Sequence, residues 1–450
     1  MKPDAEDNSG KLEMSRFKRV VRGTGIILLA LGSALVVWYQ GNYITPLLPP
    51  PARRLPSPNG YDTFQQAMVI GTLPEEDLRS FNLSRRSSAE QQKLRTLSQR
   101  CLAKTREALG QKFLVPQAEL GKIASRSSLA YEPHLSMLLF AARASAEQGN
   151  LPESMRCALD AIELGVMLPR GGEFLTALAG QDYEWRGHLS ATLLADRVDA
   201  KTARAAVARL ERIEERRWPL AENLREDFRI TYPARVLPSF KDGPLSVWEE
   251  LAPSLPGQPT RSERPLYRAD SASEDSPFLP TTPTLWDRVR VVYYGPKAVT
   301  DSWESCIKQA QERARLPWGS QRPELPRPEN SWNTDSLYRY PNLEFNRYFN
   351  RTQSALLRTH LALRAYWQEH KGTYPMMLDT LAAEGYMKAV PIDPFSPTCA
   401  PLSYRLTGKT FTLWSVGPDA INNNALPLRS IHWEPDKYPP GDIVESIHTN

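Results

Sequence analysis

Residues 135–165 read LSMLLFAARASAEQGNLPESMRCALDAIELG, and this stretch sets the fold class. Leu135, Leu138, Leu139 and Ala142 recur at three-to-four spacing. Met155, Leu159, Ile162 and Leu164 repeat the pattern, which is that of a helix with one buried face. Between the two runs Gly149 ends the first helix, Asn150 caps the second and Pro152 sits in its first turn. The pair is a helical hairpin, with Ala141, Ala142, Ala158 and Ala161 at the crossing.

The same period extends outward over residues 61–255 and predicts a mainly α-helical middle domain built of helical hairpins. Two more helices are expected at 173–196 and 200–218, the second capped by Asp199. Its mixed-sign charges at i, i+4 read as a solvated face. The hairpin is similar to a tetratricopeptide unit. An array needs about three copies at a period of about 34 residues, and no second copy is evident.

With 450 residues, 41% hydrophobic and 24% charged, the chain can bury a sizeable core. That excludes wholesale disorder, a multi-span membrane protein and a disulfide-dense miniprotein. The net charge, 56 − 51 = +5, is interleaved, so no nucleic-acid partner is expected. Prolines outnumber glycines, 39 to 24, and crowd into a few stretches. Residues 45–60 read as a proline-rich stalk, 256–284 as a linker, and 285–347 as a helical and irregular connecting segment.

Residues 23–44, GTGIILLALGSALVVWYQGNYI, lie in a span with no charge between Arg22 and Arg53. They predict a single N-terminal transmembrane helix. Arg16, Lys18, Arg19 and Arg22 place the 1–22 tail in the cytoplasm and the remainder outside, a single-pass cell-membrane topology. A cleaved signal peptide processed near Gly32, Ser33 and Ala34 is the competing reading. Cys101, Cys157, Cys306 and Cys399 would then face an oxidising compartment; three pairings are open, and buried free thiols fit as well.

Residues 348–450 predict an α+β module, a long helix plus a small antiparallel sheet. Leu356, Leu357, Leu361, Leu363 and Trp367 form a wide apolar stripe on a helix over 348–370, which Gly372 stops. A short helix is expected at 377–384, then a proline-locked stretch from Val390 to Phe395. A hairpin follows, with Leu402, Tyr404 and Leu406 facing one way, a turn at 407–409, then Phe411 and Leu413. Two strands alone are marginal in water, so they should lie on the long helix.

Four motifs occur in order: Ala365-Tyr366 with 370–375 (HKGTYP), 390–395 (VPIDPF), 402–405 (LSYR) and 414–419 (WSVGPD). This order resembles the C-terminal domain of the major pseudopilin of type II secretion. The whole layout, with LDAIELG at 159–165 and RGG at 170–172, is similar to large membrane-anchored proteins of planctomycete-type bacteria. The resemblance implies a pseudopilin-like C-terminal module and envelope or secretion proteins as partners. It also implies that the loop after the Gly-Pro-Asp turn holds calcium. Here that loop offers Asp419, Asn422 and Asn424, a weak set for a cation that prefers several carboxylates. A hydrogen-bonded Asx-type turn is the competing reading, and no other cofactor is expected.

No HExxH, GxSxG, GxxxxGK[ST] or GxGxxG string occurs. Glu214-Glu215 and Glu249-Glu250 are adjacent and diverge on a helix, and His370 reads as a helix-end cap. Gly171-Gly172 before Glu173 opens a helix toward an anion or simply makes a turn. Trp332, Tyr338, Tyr340, Tyr348 and Phe349 either line a sugar or peptide groove or staple the chain to its core. The expectation is a non-enzymatic bitopic envelope protein with extracytoplasmic interaction domains. The alternatives are a hydrolase or carbohydrate-processing enzyme and a calcium-stabilised structural protein.

Overall fold

A computed structural model describes residues 24, 26–41, 53–71, 88–116, 131–231, 240, 285–319, 334–428 and 440–446. The chain is mostly helical, with one three-stranded antiparallel sheet among the described residues. Of these residues, 24, 26–41, 240 and 285–302 belong to a smaller compact unit and the others to a larger one.

The larger unit begins with α1 (Gly60–Gly71), α2 (Ser88–Leu109), α3 (Glu132–Glu147) and α4 (Leu151–Met167). It continues with α5 (Phe174–Ala195), α6 (Ala200–Glu215) and α7 (Leu220–Thr231). The α3–α4 hairpin turns at Gly149, whose φ is +75°, and the Asn150 side chain accepts from Glu153 N at 3.2 Å. Asp199 caps α6 by accepting from Thr202 N at 2.7 Å. Helices α4 and α5 approach backbone to backbone, because Gly165 and Gly180 face each other. A Cβ on either would stand 2.5 Å from the other's carbonyl oxygen.

In the smaller unit lie α8 (Leu285–Tyr294) and the start of α9 (Pro296–Arg313). The larger unit resumes along α9, then α10 (Thr334–Glu369), α11 (Asp379–Ala383), β1 (Ser403–Thr407), β2 (Thr410–Ser415) and β3 (Ile443–Ser446). Helix α10 starts earlier than its sequence pattern suggests and contains Pro341. Proline removes one helical hydrogen bond, but Tyr340, Leu343 and Phe345 are buried around it, and packing outweighs propensity. The sheet order is β1-β2-β3, with Tyr404 opposite Leu413 and Trp414 opposite Val444.

One apolar core joins the hairpins to the C-terminal module. It runs from Met155 and Ile162 through Leu194 and Leu210 to Leu357 and Leu361, and on to Phe411 and Leu413. A second cluster gathers Tyr61, Phe64, Phe113, Leu135, Leu164 and Tyr183. Polar ties reinforce the join. Arg204 grips Glu369 through two hydrogen bonds of 2.9 and 2.7 Å, with its guanidinium 3.7 Å above the Tyr386 ring. Buried Asp393 accepts from Ser415 Oγ at 2.6 Å and Val416 N at 2.8 Å, which pins the proline-locked stretch to the end of β2.

The transmembrane expectation is corrected by the helix that does form. Thr24 and residues 26–41 are helical, yet no helix among the described residues is long and apolar enough to cross a membrane. The unbroken run 26–41 covers only about 24 Å at 1.5 Å per residue, against a hydrocarbon core of about 30 Å. Its last described residues, Gln40 and Gly41, a polar residue and a glycine, form a widened turn. Gly23, Gly25 and residues 42–44 of the expected span, with the 1–22 tail, lie outside the described residues. The single-pass topology, with a cytoplasmic N-terminus and an extracytoplasmic C-terminus, therefore has no spanning helix beneath it among the described residues.

The 256–284 linker and residues 45–52 of the stalk also lie outside the described residues. The rest of the stalk packs on the larger unit. Asn59 is buried and exchanges hydrogen bonds with the Leu114 backbone at 2.8 and 3.0 Å, and Arg53 reaches Glu222 at 3.0 Å. None of the four cysteines forms a disulfide.

Candidate ligand cleft

A cavity of about 460 Å³ opens where the start of α3, the middle of α5 and the first half of α10 meet. Its aromatic wall is Trp185, Phe345 and Phe349; its acids are Glu132 and Asp182. The contact of Gly165 with Gly180 fixes one face of α5 against α4. It leaves Asp182, Trp185 and Arg186 on the side that faces the cleft.

Arg186 bridges the two acids, donating to Glu132 Oε1 at 2.8 Å and to Asp182 Oδ1 at 3.1 Å. Burial raises the Asp182 carboxyl above the usual carboxylate range, against the pull of Arg186 and with the help of Glu132. Two carboxylates share one guanidinium, which leaves the cleft net negative. Gln181 adds an acceptor: its amide nitrogen donates to Leu343 O at 2.6 Å, while its buried Oε1 has no hydrogen-bond partner. An unmet buried acceptor costs about 1–3 kcal/mol. Asn350 holds the floor by donating to Gln181 O at 3.0 Å.

The apolar surface continues beyond the cavity. Trp185, Leu189 and Leu193 are 41%, 55% and 71% exposed, four residues apart along α5. Contiguous exposed apolar surface is found at protein interaction sites, membrane contacts and ligand grooves.

The sequence candidates fall in several places. Phe349 lines the cleft, whereas Tyr340 and Tyr348 are buried. Trp332 lies outside the described residues, as does the side chain of Tyr338. Asp419 Oδ1 accepts from Ile421 N at 3.1 Å, an Asx-type turn, and its Oδ2 accepts from Asn423 Nδ2 at 3.0 Å and Gly441 N at 3.2 Å. Asn422 Oδ1 accepts from Trp414 Nε1 at 3.1 Å and Asn424 N at 3.0 Å. Asn424 stands at φ +58°, and its carbonyl accepts from Arg405 at 3.0 Å. Asp442, which the sequence did not single out, completes the brace by accepting from Asn423 N at 3.1 Å and Ala425 N at 2.6 Å. The side-chain oxygens of Asp419 and Asn422 thus already face N–H donors. Among the described residues, no group of three or more His, Cys, Asp or Glu is placed to hold a metal.

His134 and His370 are held by local partners. His134 bridges Thr105 and Tyr183 at 2.9 Å each, and burial pulls it down to about 3. His370, just past the end of α10, meets the Tyr366 carbonyl at 3.0 Å. Glu214 turns to Arg217 and Arg351, and Glu215 to Lys388, so the adjacent pair diverges. Glu249-Glu250, His432 and His448 lie outside the described residues.

The helical hairpins, on a shared core, carry an acidic and aromatic cleft that opens beside an exposed apolar stripe. No family model, curated protein or solved structure matches the chain.

Proposed function

We propose that this chain is a non-enzymatic binding protein that captures an amphipathic, basic segment of a partner polypeptide. A lysine or arginine side chain enters the cleft, lies on Trp185 and meets Asp182, Glu132 and Gln181 Oε1. Apolar side chains of the same segment cover Leu189 and Leu193. The observation that carries this reading is the continuity of a net-negative aromatic cleft with an exposed apolar stripe on one helix. A cation over an indole face contributes about 0.5–2 kcal/mol, more when water is excluded.

Isothermal titration with a twelve-residue amphipathic peptide carrying one arginine among leucines tests this. Binding is expected for the wild type, with about 30-fold loss in Trp185→Ala, as for an aromatic hot spot. About tenfold loss is expected in Asp182→Asn, and replacing the peptide's arginine with glutamate should abolish binding. Equal affinity across the variants would contradict the proposal. Turnover of an oligosaccharide that disappears in Asp182→Asn would replace it with the hydrolase reading.

A further inference from the structure

A second cavity in the larger unit, about 690 Å³, is walled by the 54–56 segment, the turn after α2, Arg170 at the end of the α4 turn, and Trp218. Arg54, Lys112, Arg170 and Arg216 line it, and no acidic residue does. Arg216 gives one nitrogen to Glu163 at 2.9 Å. Among the described residues, no carboxylate pairs with Arg54, Lys112 or Arg170. Arg170 donates instead to the Arg216 carbonyl at 2.5 Å, and burial together with the Arg216 charge lowers its pKa.

Two further donors on this wall have no acceptor: the buried Nε of Arg170 and the buried Nε1 of Trp218. Buried donors are satisfied in nearly all folded proteins, so an orphaned pair beside uncompensated cations calls for an anion. The main chain at Arg170 is held in place, because Gly171 at φ +71° turns the chain and the Arg170 carbonyl accepts from Val115 N at 2.9 Å. The N-terminus of α5 is not the anion site, since Phe174 N already donates to Asp227 Oδ1 at 2.9 Å.

We infer that this cavity binds a small phosphate-bearing molecule, its oxygens accepting from Arg170 Nε and Trp218 Nε1 while Arg54 and Lys112 close over it from the exposed rim. Guanidinium groups suit this role because their planar fork matches phosphate oxygens. The site is separate from the cleft and does not depend on its function.

Pyrophosphate is the probe, titrated calorimetrically into the full chain at about 50 mM salt, where surface charge is weakly screened. Arg54→Gln and Lys112→Gln alter exposed side chains, and unchanged melting curves establish that both variants fold. The wild type should bind, each variant about tenfold more weakly, and raising salt should weaken all three. Absence of binding by the folded wild type, or undiminished affinity in the double variant, would overturn the inference.

Discussion

Replacing Gly165 with alanine is expected to destabilise the larger unit by about 2–3 kcal/mol, the upper range for overpacking a core. The added Cβ would sit 2.5 Å from Gly180 O and 2.7 Å from Glu184 N. Both are backbone atoms of α5, so no side chain can swing aside and the two helices must part. Alanine recovers up to about 1 kcal/mol of helix propensity, which does not offset a backbone clash. Gly180→Ala meets Gly165 O at the same 2.5 Å and should behave alike. Gly110→Ala is the control: its nearest neighbours stand at 3.5 and 3.6 Å, and its melting should be nearly unchanged. Urea unfolding followed by circular dichroism reads all three. Loss of stability should come with weaker peptide binding, because the same helix carries Asp182 and Trp185.

The second large effect concerns pH. His360 is buried between Asp196 Oδ1 at 2.8 Å and Glu445 Oε1 at 2.9 Å, with the edge of the Phe411 ring beside it. Burial opposes its charge, but the hydrogen bonds to Asp196 and then Glu445 prevail and raise it to about 9. The folded state therefore holds a proton that the unfolded chain releases near 6.5. The clamp contributes fully below pH 6.5 and is lost as pH climbs through 9, about 3 kcal/mol in all.

Glu173 acts in the same direction: burial, then Asp227, raises it to about 8, so stability falls between 4.5 and 8 as its unfolded form ionises. His134 and His188, both lowered to about 3 by burial, act oppositely: stability rises from pH 3 to 6.5 as their unfolded forms lose protons. The four groups place maximum stability near pH 6.5. His360→Gln should lower stability at pH 6 by about 3 kcal/mol and flatten the alkaline limb between 6.5 and 9. An unchanged alkaline limb in that variant would refute the clamp.

The hairpins were legible because local rules agree with one another there. Leu135 and Leu138 repeat with the helical period, Gly149 reverses the chain and Asn150 caps the next helix. The β1–β2 turn was equally open to reading, since alternation on both sides brackets Gly408. Strand β3 was not, because its pairing with β2 spans a long separation and only four residues mark it. The early start of α10 was masked by Pro341, which local preference counts as a breaker while burial of its neighbours holds the helix. The N-terminal apolar run misled because all of 23–44 was counted as one spanning helix, whereas no helix among the described residues is long and apolar enough to cross a membrane.

The cleft was the least visible feature. Its walls come from three distant segments, and only the tertiary fold brings Glu132, Asp182 and Phe349 together. One local signal was available: Trp185, Leu189 and Leu193 recur at four-residue spacing on a helix whose opposite face is already filled by small and apolar residues. Under the proposed reading, that extra apolar stripe is the surface the partner segment covers.

Hydrogen exchange on the full chain, with and without the arginine-bearing amphipathic peptide, tests the central claim most directly. Added peptide should slow exchange at the start of α3, along 178–193 and around 345–350, and leave the sheet at 403–415 as it was. Slowing confined to other segments, or no slowing at saturating peptide, would contradict the assignment of this cleft as the binding site.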